Sequence, residues 1–403
     1  MLLTRHDREW IEAEAKRAGF DLAGLASVPD PESESAQAEA QHFADWIASG
    51  AAGDMDWLKR TDASGALVRG DLRRSVPWAR SVLVCAVNYN AEAPRSIDPA
   101  AADAGWIARY AWSGRGSAEM APGDVPGSDY HEELLPRLKI VADRLREHFG
   151  DACQTRAYVD TGPILERGYA ARAGIGWIGR NTCVLNQQQG SWILLGVVIT
   201  SLEPEPEAWP IPAVDRCGSC TRCVDACPTD ALHGSGLAGR SRQMDASRCI
   251  AYLTIEKKGS IDPDLREGMG RQVFGCDICQ DVCPWNGRAP VGRSGMLQPR
   301  LELVNPSLAW LASMDGPEFN RRFRGSPLER TRRKRILRNV ANAMGNSKDQ
   351  QFRPQLEAWT KNEDPVLVEA AQWALDRLTG QLKPIAEEQA DRLQSAFAGP
   401  LDQ

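Results

Sequence analysis

Eight of the eleven cysteines fall into two sets whose spacing suits iron and sulfur. The first is Cys217-x2-Cys220-x2-Cys223-x3-Cys227, followed by Pro228, inside RCGSCTRCVDACPTDAL. The second repeats the ending as Cys276-x2-Cys279-x3-Cys283-Pro284, and Cys249 from far upstream replaces the missing near neighbour. C-x2-C-x2-C-x3-C-P is the run with which bacterial ferredoxins hold 4Fe–4S clusters: three thiolates wrap one cubane, and the cysteine before proline serves the other. That crossover assigns Cys217, Cys220, Cys223 and Cys283 to a first cluster. It assigns Cys227, Cys249, Cys276 and Cys279 to a second. Structural zinc would favour two isolated C-x2-C pairs without a crossover. Cys85, Cys153 and Cys183 remain, and each reads as a buried thiol acting as a small apolar side chain. Such a domain carries single electrons and does not say where they go.

Asp160 is the candidate acid. It stands in YVDTGPILERGYAARAGIGWIGRNTCVLN (158–186), directly after the apolar run TRAYV. It therefore ends a strand, where open α/β sheets present their chemistry. Asp-Thr-Gly-Pro before a helical run is also what a helix N-cap looks like, and the residues alone leave both roles open. The same stretch holds Gly174-x-Gly176-x-x-Gly179, a formal dinucleotide fingerprint. That motif needs a strand before it and a helix opening at its end. Here the preceding residues read as helix and a strand follows closely. The expectation is a glycine turn that lets backbone approach a large flat ligand.

These residues need a scaffold. SVLVCAV (81–87), TRAYV (155–159) and WILLGVVIT (192–200) are short, apolar and β-branched, which predicts strands. Leu134, Leu138, Val141 and Leu145 recur at helical spacing, which predicts a helix over 131–149. EPEPEAWPIP (203–212) is a proline-rich connector. The expected fold is a multidomain mixed α/β (α+β) chain. Residues 1–205 form an α/β catalytic domain, 206–295 a ferredoxin-like two-cluster domain, and 296–403 a helical domain. In the last, NVANAM and VLVEAAQWALDRL suggest HEAT-like units.

Composition sets the class. With 42% hydrophobic and 25% charged residues the chain is an ordinary globular protein. MLLTRHDREW lacks the apolar core of a secretory signal, and Trp192–Thr200 is too short to span a bilayer. No membrane partner and a cytoplasmic location are expected. A net charge of −6 gives no hint of nucleic acid, but Arg321–Arg338 concentrates nine Arg or Lys residues against one Glu. Within it Arg332, Arg333, Lys334 and Arg335 suit phosphate contacts. A solvated helix face is the plainer alternative. Lys257 and Lys258 lie beside the second cysteine set.

The 158–186 stretch, together with ARYAW (108–112), DYH (129–131), the double cysteine run and CIAYLTIEKKG (249–259), resembles the epoxyqueuosine reductase family. The resemblance runs over essentially the whole chain. It implies reduction of epoxyqueuosine to queuosine at the wobble position of tRNA, with cobalamin and two 4Fe–4S clusters as cofactors. It implies an N-terminal domain similar to that of reductive dehalogenases, with Asp160 as proton donor. Arg69, Ala108, Asp160, Val184, Leu195 and Ala251 would line cobalamin. Cys276 and Asp277 would stand where the second cluster approaches the corrin. Lys257 and Lys258 would meet the anticodon stem, and an external flavodoxin or ferredoxin would supply electrons. One departure is the Gly, Pro and Ser-rich insertion SGRGSAEMAPGDVPGS (113–128), expected to be a surface loop. DYHEEL begins like the D-x-H-x-x-G motif of cobalamin mutases but lacks its glycine, so His131 is not expected to ligate cobalt.

The chemistry is consistent with these parts. Removing an epoxide oxygen as water takes two electrons and two protons. A carboxylic acid must protonate the leaving oxygen, and burial against a corrin would raise its pKa. Two other readings stand beside this one. A reductive dehalogenase-like enzyme acting on a small molecule would have no use for the basic helical tail. An electron-transfer adaptor would have no use for Asp160 or an N-terminal domain of this size.

Overall fold

The computed structural model describes residues 2–115, 125–150, 153–205, 209–232, 242–294 and 297–381. The chain divides into two compact bodies, neither continuous in sequence. One comprises Met1–Asn90, Tyr130–Cys220 and Arg288–Ser294; the other comprises Ala91–Asp129, Thr221–Gly287 and Gly295–Gln403. A linear division at 205 and 295 would give 91–129 and 288–294 to different bodies from those they join.

The first body is built on one antiparallel sheet. Its strands are β1 (Leu22–Ser27), β2 (Ser81–Asn88), β3 (Thr155–Tyr158) and, after the two-residue pair β4 (Trp177–Ile178) and β5 (Val184–Leu185), β6 (Ile193–Thr200). The sheet order is β1-β2-β6-β3, and every pairing in it is antiparallel. β2 is buried along its whole length, which explains its unbroken apolar run. One face packs on α1 (Arg5–Arg17) and α2 (Tyr130–Phe149). Leu134, Leu138, Val141 and Leu145 of α2 are fully buried, as their spacing predicts. Each such side chain stabilises the fold by roughly 1.5–3 kcal/mol. Gly196 in β6 makes room for α2: a Cβ there would lie 2.8 Å from Leu138. The other face, with Val82, Val84, Ala86, Val197 and Ile199, packs against α3 (Glu166–Arg172) and its flanking turns. An antiparallel sheet with no helix after the glycines excludes a Rossmann site.

The second body holds a short parallel pairing of Trp106–Ile107 with Gln272–Phe274 and a set of helices. Those used below are α4 (Ile250–Ile255), α5 (Ile278–Asp281), α6 (Pro327–Ser347) and α7 (Pro365–Leu378). α6 and α7 contain NVANAM and VLVEAAQWALDRL, so the helical expectation holds for this stretch. They pack closely: a Cβ on Gly345 would come within 2.8 Å of the Ala374 backbone. Residues 116–124 of the insertion lie outside the described residues. At its ends, Trp112 donates from Nε1 to the Ile107 carbonyl at 2.8 Å, and Asp129 pairs with Arg330 at 3.1 Å. No helix among the described residues is long and apolar enough to cross a membrane.

Candidate active site

Asp160 follows β3 by two residues and adopts a left-handed backbone, φ 54°. That conformation is uncommon for a residue other than glycine, though Asp and Asn tolerate it best. The N-cap role is excluded, because α3 begins at Glu166 and its cap, Leu165, makes no side-chain bond. Instead the Asp160 side chain is 68% exposed. The burial expected of a general acid is therefore not supplied by the chain's own side chains. Tyr130 Oη donates to Asp160 Oδ2 at 3.0 Å, and His131 Nε2 lies 4.0 Å from the same oxygen. Both residues come from the start of α2, so DYH serves the acid. The signal was in the sequence, in the motif itself, but spacing could not connect 130 with 160.

A second carboxyl, Glu166, escaped the sequence reading. Its Oε1 is enclosed and has no hydrogen-bond partner. Burial pushes its pKa up to about 7, and the Asp160 carboxylate adds to the rise, against Arg69 and Arg167. Arg69 Nη1 donates to the Ile164 carbonyl at 3.0 Å and so holds the turn between Asp160 and Glu166. Val184 is buried in the same apolar cluster, and Leu195, Ile193, Ile178 and Tyr158 are its half-buried edge. An apolar edge with one exposed acid suits a large flat ligand such as a corrin. Of the expected cofactor residues, Arg69, Asp160, Val184 and Leu195 belong to this first body.

Ala108, Ala251, Cys276 and Asp277 belong to the second, and the chain draws them together there. Ala108 N donates to the Phe274 carbonyl at 2.7 Å, and Arg109 N donates to Asp277 Oδ2 at 2.6 Å. Gly275, at φ 67°, permits this approach: a Cβ on it would lie 2.5 Å from the Ala108 Cβ. Thr254 Oγ1 accepts the Gly275 N–H at 2.9 Å and donates back within α4 to Ile250 O at 2.7 Å, with Ala251 O farther at 3.2 Å. Asp277 is buried, and burial raises its carboxyl pKa, with Asp281 adding to the rise.

The four ligands assigned to the second cluster all lie in this body. Burial pushes the Cys276 thiol well above its ordinary range, and the charges of Cys249, Asp277 and Cys227 add to the rise. Cys223 and Cys276 pack against Ala226, Ile278 and Val282, between two matching short helices, Arg222–Asp225 and α5. A cubane gives each thiolate its own iron, so its ligands need not converge on one ion. No three candidate ligands converge on one ion among the described residues. The donor set, all soft thiolates, fits 4Fe–4S. Of the first cluster's ligands, Cys217 and Cys220 belong to the first body and Cys223 and Cys283 to the second. The remaining cysteines follow expectation in part: Cys85 and Cys153 are buried, and Cys183 is half-buried.

The glycine turn is explained without a ligand. A Cβ on Gly176 would lie 2.2 Å from the Leu185 carbonyl, and one on Gly179 would lie 2.6 Å from Leu185 Cδ1. The glycines let β4 and β5 pack closely, so chain meets chain where a flat ligand was expected.

The basic strip divides into outward and inward cations. Arg332 and Lys334 are exposed, at a kink in α6 where Arg332 has φ 61° and ψ 151°. Arg335 instead donates to the carbonyls of Thr331 at 2.9 Å and Ile255 at 2.6 Å, and Arg333 donates to Met314 O at 2.7 Å. Arg338 is buried and donates to the carbonyls of Leu253, Lys257 and Gly259 at 2.6, 2.9 and 2.6 Å. Burial pulls its pKa down to about 10, and the neighbouring cations Arg335 and Arg266 lower it further. These bonds tie the end of α4 and the Lys257–Lys258 loop to α6, so the two expected tRNA segments stand side by side.

Residues 216–286 match a family described as a 4Fe-4S double cluster binding domain, and 69–161 match the family Epoxyqueuosine reductase QueG, DUF1730. An epoxyqueuosine reductase of Xanthomonas campestris pv. campestris is 35% identical over 372 residues, covering 91% of this chain and 94% of its own. The chain belongs to the epoxyqueuosine reductase family. A relative of that name from Pseudomonas aeruginosa is 35% identical and covers 93% of this chain and 94% of its own. A crystal structure of an epoxyqueuosine reductase with an epoxyqueuosine-modified tRNA-Tyr stem loop superposes at TM-score 0.74. It is 27% identical and the match covers 96% of this chain and 97% of that one. The enzyme of Streptococcus thermophilus also superposes at 0.74, with 26% identity over 97% of this chain and 98% of its own. Family membership makes the chain an oxidoreductase that reduces epoxyqueuosine, with two 4Fe–4S clusters as cofactors. It sets aside the adaptor and the small-molecule dehalogenase. A reductive dehalogenase superposes at only 0.40 with 16% identity, which says nothing about this chain.

Proposed function

We propose that the chain reduces epoxyqueuosine to queuosine at the wobble position of tRNA, with cobalamin bound in the first body and Asp160 as proton donor. The observation that carries this is the Asp160 turn: an exposed carboxylate on a left-handed residue, bonded by Tyr130 and neighboured by His131. Cobalamin, when bound, supplies a metal that takes electrons singly and acts on carbon, chemistry that side chains lack. The half-buried apolar edge around Leu195 and Val184, with Arg69, would hold it. Asp160 gives its proton to the departing epoxide oxygen, and Tyr130 keeps the carboxyl oriented. The Bacillus subtilis relative, 26% identical at TM-score 0.72, is described with a catalytic loop named for an aspartate swung out of its active site, which supports an aspartate on a turn in this role.

The tRNA reading rests on the relative seen with a modified stem loop and on the bonds that tie the Lys257–Lys258 segment to α6, which carries the exposed Arg332 and Lys334. Residues 296–403 act in this reading as a HEAT-like tRNA-binding tail. Arg333 and Arg335 contribute by holding that surface in place. An external ferredoxin or flavodoxin feeds the clusters. The test is tRNA nucleoside analysis in cells lacking the chain. Epoxyqueuosine should accumulate and return to queuosine on complementation with wild type. An unchanged nucleoside profile would overturn the reading.

A further inference from the structure

The glycine turn packs chain on chain, but the side chains it carries reach a cluster ligand. Trp177 Nε1 donates to Cys217 Sγ at 3.4 Å, and Arg180 Nη2 donates to the Gly218 carbonyl at 2.8 Å. All four residues belong to the first body. Trp177 is only 4% exposed and is fixed by pairing with Leu185 across β4 and β5. The ligand loop is held from its own side as well, since Cys217 N donates to Asp215 Oδ1 at 2.8 Å. Gly218 sits at φ 52°, a left-handed turn that glycine adopts freely, and its carbonyl is held by the Arg180 guanidinium.

We propose that Trp177 and Arg180 are positioning residues of the first 4Fe–4S cluster: the indole N–H bonds the Cys217 sulfur and raises the cluster's reduction potential, while Arg180 fixes the ligand loop. The sign follows from charge. Reduction adds one negative charge that spreads onto the thiolates, so a donor aimed at sulfur stabilises the reduced form more than the oxidised one. Partners outside the ligand shell set potentials and orientation in this way. The AGIGWIGRN stretch thus acquires a role: its glycines bring β4 close to β5, and β4 aims Trp177 at sulfur. The proposal rests on Cys217 being a first-cluster ligand.

The experiment is an EPR-monitored redox titration of holoenzyme, with Cys220→Ser used to assign the first cluster's signal. Trp177→Phe keeps the ring and loses the donor. Iron content should stay at the wild-type level. The reduced-to-oxidised ratio of the first cluster at a fixed potential should fall about tenfold, which is a negative shift of about 59 mV for one electron. The second cluster should not move. An unshifted first cluster, a positive shift, or equal shifts in both clusters would overturn the proposal. A second measurement does not depend on the variant folding. In wild-type holoenzyme with nitrogen-15 indole, the reduced first cluster should show a nitrogen-15 coupling by electron–nuclear double resonance, and its absence would count against the proposal. If Cys220→Ser leaves both clusters intact, the ligand assignment falls first and this proposal with it.

Discussion

The two bodies treat charge in opposite ways. In the first, both sheet faces are apolar, and the candidate acid, Asp160, keeps its carboxyl in solvent. In the second, Arg266, Arg300 and Arg338 are each 1% exposed. Arg266 donates to Ile261 O at 2.9 Å, Arg300 pairs with Glu302 at 2.8 Å, and Arg338 holds three carbonyls. The Asp160 charge in the first body faces solvent. Arg266 and Arg338 in the second spend their charge on the chain's own backbone carbonyls. A basic stretch is therefore weak evidence of a nucleic-acid surface until the direction of each guanidinium is known.

The contrast is sharpest at Arg338. Arg338→Met should cost about 3 kcal/mol, because it leaves buried carbonyls without donors. Asp160→Asn, at an exposed site whose left-handed backbone Asn tolerates, should stay within about 0.5 kcal/mol. Equal losses in urea unfolding would erase the distinction.

Glu166 is the first body's exception, and it makes stability depend on pH. Its folded pKa, about 7, lies above the ordinary 4.5. The folded state then binds more protons between those values, so stability falls as pH rises through them. The contribution is present below pH 4.5 and is lost by up to about 3 kcal/mol above pH 7. Glu166→Gln should remove this decline. If wild type and variant lose stability in parallel from pH 5 to pH 8, the enclosed carboxyl is not titrating as described.

The smallest effect separates outward from inward cations. Replacing Arg332 and Lys334 by Ala should reduce the salt slope of tRNA binding by roughly 1.5 units. Arg335→Ala should leave the slope unchanged and lower thermal stability instead. A slope altered by Arg335 alone would reverse the assignment.

What the sequence revealed follows the same division. α2 was legible because its apolar periodicity answers to one buried face, and β2, β3 and β6 because short β-branched apolar runs suit a sheet covered on both faces. The cysteine sets were legible because ligand spacing is local. The Tyr130–Asp160 bond was not, since two segments thirty residues apart in sequence meet only in the fold. Nor was the discontinuous division of the chain, because nothing in residues 91–129 marks which body they join. Arg335 and Arg338 read as part of one basic strip because helical sequence shows where charges recur, not which carbonyls lie beneath them. The G-x-G-x-x-G was recognised as a poor nucleotide motif, but its actual partner, the backbone of Leu185, lies across a hairpin that the pattern does not reveal.

The central claim is that Asp160 gives a proton to the leaving oxygen. The direct measurement is single-turnover reduction of epoxyqueuosine tRNA by pre-reduced holoenzyme, comparing wild type with Asp160→Asn. Pre-reduction removes electron delivery from the comparison, so only the chemical step differs. The Asn side chain keeps the size and the capacity to accept the Tyr130 hydroxyl. The account predicts folded protein, full iron content, bound cobalamin and tRNA, and turnover lower by roughly a hundredfold or more, as loss of a general acid costs. Near-wild-type turnover by the Asn variant would contradict it.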